Sequence, residues 1–144
     1  MKLAVSLIFL TTAVAAAQAP EVSSPYRAID AWGQLPAGMA WGQVSGVELD
    51  AQGNIWVIHR AEPPILQFDP SGRLLRSFGR GMFVQAHSLH FDRDGNLWAV
   101  DGDGRDGTGH QIFKFSADGR VLLTLGKAGV PGDGPDTFTV RPTS

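Results

Sequence analysis

The sequence predicts an all-β fold of the β-propeller type, on three observations. A segment of about forty residues recurs, each copy divides into four short apolar runs, and Asp-x-x-Gly turns separate the runs. Asp50-Ala-Gln-Gly53-Asn54-Ile-Trp56 is matched 42 positions later by Asp92-Arg-Asp-Gly95-Asn96-Leu-Trp98. Phe68-Asp-Pro-Ser-Gly72-Arg is matched 47 positions later by Phe115-Ser-Ala-Asp-Gly119-Arg, so the second copy carries five extra residues, within 101–109. Beyond residue 17 no stretch shows a helical apolar period.

Residues 1–17 are expected to be a cleaved signal peptide. Lys2 supplies a positive start, residues 3–16 are apolar, and Ala15 to Ala17 give a small-x-small cleavage pattern. The apolar run is shorter than the ~20 residues of a spanning helix, so a secreted or periplasmic protein without a retained membrane anchor is expected. Residues 18–25 read as a flexible lead-in. Trp32-Gly33 lies 46 positions before Gly79, which lies 47 before Gly126. That spacing makes residues 26–33 the last strand of a blade whose other strands are missing, an N-terminal closing strand. Blade one spans 45–79, with strands expected at 46–50, 54–60, 65–69 and 74–79. Blade two spans 88–126, with strands at 88–92, 96–101, 111–116 and 121–126. Each run is rich in β-branched, aromatic or Leu residues and is bounded by Gly, Asp or Asn. Arg141-Pro-Thr-Ser144 stands where Gln85-Ala-His-Ser88 stands in the second copy, so 141–144 begins a third blade.

A blade buries its two faces only against neighbouring blades. Two complete blades therefore predict a propeller fragment, with open edges and faces that further blades or other copies must cover. The formal charge of −2 and the absence of a basic stripe exclude a nucleic-acid surface. An apolar content of 43% excludes disorder, and zero cysteines exclude a disulfide framework.

Few residues carry chemistry. His87 falls at the entry of an inner strand, where a side chain can face a central tunnel. Three such histidines from successive blades would form a zinc site with an open position; one alone reads equally as a hydrogen-bonded strand-end residue. Arg60 ends the second strand of its blade, as a clamp for a carboxylate or as a surface arginine paired with Asp50 or Glu62. His59 and His90 read as packing or hydrogen-bonding strand residues, and His110 as the closure of the inserted loop. The loop 101–107 fails as a calcium-binding EF-hand, because Arg105 stands at a donor position and Ile112 at the twelfth; it reads as solvated. Asp50 and Asp92 read as turn caps.

The ordered set Val57-Ile-His-Arg60, Ala86-His87-Ser88-Leu89, Gly109-His-Gln-Ile-Phe-Lys-Phe115 and Leu123-Thr-Leu-Gly-Lys-Ala-Gly-Val-Pro131 resembles the NHL-repeat propeller of the peptidyl-α-hydroxyglycine α-amidating lyases. Within that family the Asp/Gly-rich insertion is similar to that of bacterial members. The resemblance covers residues 35–143. It implies a six-bladed parent that splits the N–Cα bond of a peptidyl-α-hydroxyglycine, giving a peptide amide and glyoxylate. It further implies a zinc held by three histidines, a tyrosine base, arginines at the substrate, and a calcium in the channel. By that resemblance Arg60 is an active-site arginine, His87 the first zinc ligand, and Val47 and Leu89 main-chain carbonyl donors to calcium. The family's Pro-His-Gly-Leu stands here as Ala86-His87-Ser88-Leu89, without its proline and glycine. The other ligands, the tyrosine and a second arginine are expected beyond Ser144. The fragment alone is thus expected to be inactive and to hold neither metal. The competing reading is a secreted NHL propeller that binds a protein or small ligand without catalysis; fold does not choose between them.

Overall fold

The computed structural model describes residues 24–132 together with Gly134 and Thr137. The signal segment 1–17, residues 18–23 of the lead-in and the stub 141–144 lie outside the described residues. Eight strands form the two blades. The first sheet has the order β1-β2-β3-β4, with β1 (Val44–Leu49), β2 (Ile55–His59), β3 (Ile65–Phe68) and β4 (Leu74–Phe78). The second blade uses β5 (Ala86–Phe91), β6 (Leu97–Asp101), β9 (Ile112–Phe115) and β10 (Val121–Leu125). Its order is β5-β6-β9-β10, and every ladder in both sheets is antiparallel. The five extra residues fold into a small hairpin, β7 (Gly104–Arg105) with β8 (Thr108–Gly109). No helix occurs among the described residues. The all-β, propeller-blade fold expected from the repeat is therefore present, with strand ends within two residues of the expected ones.

One turn recurs four times and explains the motif spacing. Gly53 N–H donates to Asp50 O (3.0 Å), Gly72 to Asp69 O (2.9 Å), Gly95 to Asp92 O (3.0 Å) and Gly119 to Ser116 O (2.8 Å). Each of these glycines has positive φ, between 78° and 88°, a conformation that a Cβ disfavours. In the first turn of each blade the aspartate does more. Asp50 Oδ1 accepts the amides of Gln52 (3.0 Å) and Asn54 (2.8 Å), while Oδ2 accepts the Trp56 indole N–H (2.9 Å). Asp92 repeats this with Asp94, Asn96 and Trp98, and adds an ion pair to Lys114 at 2.8 Å. The repeated tryptophan is thus tied to the repeated aspartate, which is why they keep a spacing of six.

These bonds set the acid stability. The Lys114 ammonium first, then the Asn96 amide, hold the Asp92 carboxyl well below the usual carboxylate range, while Ser71 and Arg73 hold Asp69 down at about 2. At Asp50 burial pushes upward, but the Trp56 and Asn54 hydrogen bonds outweigh it and the carboxyl stays low. A carboxyl lowered by folding stabilises the fold above its unfolded value of 3.8 and loses that contribution as pH falls through the folded value. Thermal midpoints are therefore expected to drop on acidification below about pH 4. Asp92→Asn should flatten that acid limb; an unchanged slope would refute the assignment.

The main core lies between the blades. Trp56, Ile58 and Ile65 of blade one pack against Leu89, Leu97, Ala99, Phe113 and Phe115 of blade two, all buried. The other face of blade one, with Val57, Leu66 and Phe68, is covered by a strap carrying Trp32, Leu35 and Met39. Trp32 and Trp41 flank the Phe68 ring at centroid distances of 5.5 and 5.6 Å. The far side of blade two is open: Val121, Leu122, Leu123 and Leu125 of β10 are exposed.

Here the structure departs from the sequence reading. Residues 26–33 form no strand; the strap's one ladder contact among the described residues is a parallel bridge from Gln34 to Arg73. An outer strand needs a third strand beside it, and no described residues supply one. The Trp32 indole instead donates to Pro70 O (3.1 Å) and lays its ring on Phe68.

Candidate functional site

The two inner strands share a bulge. Pairing of β1 with β2 shifts between Val44 and Gly46, and pairing of β5 with β6 shifts between Ala86 and Ser88. The unpaired residues are Ser45 and His87, equivalent in the repeat. A bulge re-aims its extra side chain. His87 is half-buried there, and its Nδ1 is buried without a hydrogen-bond partner.

Arg60 follows β2 at the same end. Its amide donates to Gln43 O (2.9 Å), one terminal guanidinium N–H donates to Gln43 Oε1 (2.7 Å), and Nε reaches Ala86 O at 3.5 Å. The guanidinium is exposed and reaches across the blade boundary to the main chain of Ala86, the residue before His87. The expected partners Asp50 and Glu62 are otherwise engaged. Asp50 serves its own turn and Trp56, and Glu62 accepts the Gly81 amide at 3.1 Å. Beneath Arg60 lies a cleft of about 60 Å³ lined by His59, Glu62, Pro64, Phe83 and Val84, too small alone for a peptide-sized ligand.

Val47 and Leu89 stand opposite Val57 and Ala99 in the ladders, in β1 and β5. Both strands are sheet edges, so alternate backbone groups face away from the ladder. Val47 is 61% exposed and Leu89 is buried.

Among the described residues no group of three or more His, Asp or Glu side chains comes together to hold a metal. Zinc takes three or four protein donors and calcium six to eight oxygens. The unpartnered His87 Nδ1 fits one zinc donor, and two edge-strand carbonyls would be two calcium donors. The described residues complete neither set, so no chemical step is derived through either metal.

The remaining histidines behave as packing or loop residues. His59 is fully buried; its Nδ1 accepts the Gly42 amide (2.9 Å) and its Nε2 donates to Pro63 O (2.9 Å). His90 is exposed and pairs with Glu48 at 3.1 Å. His110 closes the β7–β8 hairpin through its amide to Asp103 O (2.9 Å), and its Nδ1, like that of His87, is buried without a hydrogen-bond partner.

Sequence reasoning missed Asp101. Read as part of a solvated loop, it is completely buried at the end of β6, where it accepts the amides of Val84 (2.8 Å) and Gln85 (2.7 Å). Burial pushes its carboxyl up, and those amides only partly offset the shift. The 42-residue repeat aligns Asp101 with His59, which is also buried, but the alignment alone does not show burial of either. A larger groove of about 440 Å³ opens at the opposite end, lined by Asp50, Trp56, Arg76, Phe91, Asp92 and Arg93. Its Asp50 and Asp92 are occupied by turn amides and indoles.

No family model matches the chain. Individual relatives do. It is 35% identical over 117 residues to peptidyl-glycine alpha-amidating monooxygenase A of Xenopus laevis, covering 63% of this chain and 12% of the relative. It is 30% identical over 121 residues to peptidyl-alpha-hydroxyglycine alpha-amidating lyase 1 of Drosophila melanogaster, covering 65% of this chain and 21% of the relative. Against peptidyl-glycine alpha-amidating monooxygenase of Mus musculus identity is 29% over 146 residues, or 83% of this chain and 14% of the relative. The chain thus spans a small part of each relative.

Proposed function

We propose that this chain contributes two blades to a six-bladed NHL-type propeller with peptidyl-α-hydroxyglycine α-amidating lyase activity. The observation that carries the reading is local. Arg60 reaches across the blade boundary to Ala86, beside a bulged His87 whose ring nitrogen has no partner. The similarity to proteins named for this lyase activity supports it.

The reaction breaks the N–Cα bond of a peptidyl-α-hydroxyglycine. The hydroxyl loses a proton, its carbon becomes the aldehyde of glyoxylate, and the amide nitrogen gains a proton, with no water consumed. Arg60 holds the substrate carboxylate: Gln43 and the Ala86 carbonyl fix one terminal N–H and Nε, and the remaining terminal N–H groups are left for the carboxylate. His87 would supply one nitrogen to a zinc, whose chemistry when bound is to lower the pKa of an attached hydroxyl. Val47 and Leu89 would offer main-chain oxygens to a calcium. The same reading takes residues 1–17 as an export signal, and the insertion after Asp101 as a mark of the bacterial branch.

With one zinc donor, the chain by itself is expected to lack turnover. The check is to express it and measure bound zinc and glyoxylate release from an α-hydroxyglycine peptide. Stoichiometric zinc with steady glyoxylate release from the chain alone would refute the one-donor assignment.

A further inference from the structure

We propose that the Asp101–Gly102 corner is the positioning device for the His87 ring, an inference that rests on the reading of His87 as a donor. The main chain entering β5 carries neither a proline nor a glycine around His87, yet it is tied at three successive residues. Asp101 Oδ2 accepts Val84 N–H at 2.8 Å and Oδ1 accepts Gln85 N–H at 2.7 Å. Gly102 N–H donates to Gln85 O at 2.9 Å, and Ser45 Oγ of blade one donates to Ala86 O at 2.9 Å. The residue that follows is His87, at the bulge.

Gly102 then sets the ring itself. A Cβ on Gly102 would meet His87 Cδ2 at 3.0 Å, and Cβ and Cγ at 3.2 Å, so the His87 side chain lies close against this backbone and would have to give by a few tenths of an ångström. Gly102 is not among the positive-φ glycines, so this glycine serves contact rather than backbone conformation.

The repeat shows the main-chain frame twice. His59 and Asp101 are equivalent, and so are Gly42 and Val84. In blade one the buried His59 accepts the Gly42 amide (2.9 Å), as buried Asp101 accepts that of Val84. The Arg60 amide bonds Gln43 O as the Gly102 amide bonds Gln85 O, both at 2.9 Å. Blade one carries an arginine and a small Ser45 in the places where blade two carries Gly102 and His87. The exchange removes the side chain that would occupy the ring's space and adds the ring. A carboxylate in place of an imidazole binds two amides at the His87 entry, where the His59 ring binds one amide and the Pro63 carbonyl.

The test reads the His87 imidazole signal by NMR in the labelled, metal-free chain, with His59 reporting the fold and His90 an exposed ring. In Asp101→Asn one of the two amides loses its acceptor. Exchange of the Val84 or Gln85 amide should rise about tenfold, and the His87 signal should move toward that of His90 while His59 stays. An unmoved His87 signal in the folded variant overturns the proposal. Should the asparagine variant lose the His59 signal too, Gly102→Ala decides, since it keeps the carboxylate and presses on the ring. There His87 must shift with the Val84 and Gln85 amides still protected, and an unmoved ring overturns the proposal. Both measurements are made without zinc or substrate, so they stand or fall separately from lyase activity.

Discussion

Trp56→Ala is expected to cost about 3–5 kcal/mol, and its repeat equivalent Trp98→Ala only about 1 kcal/mol. Against a whole-domain stability of about 5–15 kcal/mol the first loss is large enough to unfold much of the population at 37 °C. The two tryptophans share a motif, a strand position and an indole bond to their turn aspartate, at 2.9 and 3.0 Å. They differ in what faces them. Trp56 is 1% exposed, packed among Ile58, Leu97 and Phe115, with its ring edge-on to Phe78 and Phe91 at 6.0 and 5.4 Å. Its removal opens a cavity in the interface the blades share and takes from Asp50 Oδ2 one of two buried donors, the other being Gln67. Trp98 faces the open side of blade two, where Lys114 lies 5.1 Å over its ring. Its removal forfeits a cation–π contact and a solvent-accessible hydrogen bond. Urea midpoints of the two variants give the comparison directly. Equal costs would show that the far face of blade two is covered in solution, by another copy or another segment.

That contrast also explains what was legible in the sequence. Strand positions followed from the Asp50/Asp92 and Gly72/Gly119 turns, because the turn chemistry is local: each aspartate bonds amides two and four residues away. The fate of His110 was legible for the same reason, since it closes a hairpin only a few residues long. Asp101 was not. Its partners Val84 and Gln85 come from the segment that enters β5, 17 and 16 positions earlier, and an Asp/Gly-rich run looks solvated until that segment folds over it. Arg60 was half legible. Its position at the end of β2 follows from the repeat, but its contact with Ala86 exists only once the blades stack. The strap failed for a third reason. The spacing of Trp32 from Gly79 matched a strand, yet spacing fixes where a residue falls along the chain and not whether a ladder partner is present.

Gly72→Ala is expected to eject that strap and cost roughly 2–4 kcal/mol. Gly72 sits at φ +88°, and a Cβ there would collide with the Trp32 carbonyl, its carbon 2.7 Å away. Backbone meets backbone at this contact, so no rotamer change relieves it. The strap is held there by Gln34 N–H on Gly72 O (2.8 Å) and the Trp32 indole on Pro70 O. Its departure would uncover Leu66 and Phe68, both 0% exposed. Gly53→Ala is the control: φ is +80° but nothing lies within 4 Å of the added carbon, so only the conformational cost of about 1 kcal/mol applies. The alanine at 72 should red-shift tryptophan emission, through Trp32 and Trp41, and raise binding of a hydrophobic dye; the alanine at 53 should do neither. If the two variants behave alike, the strap contributes nothing to closing blade one. The proposed ring brings another blade to this same face, so the difference between the two variants measures how firmly that face is already closed before any further blade arrives.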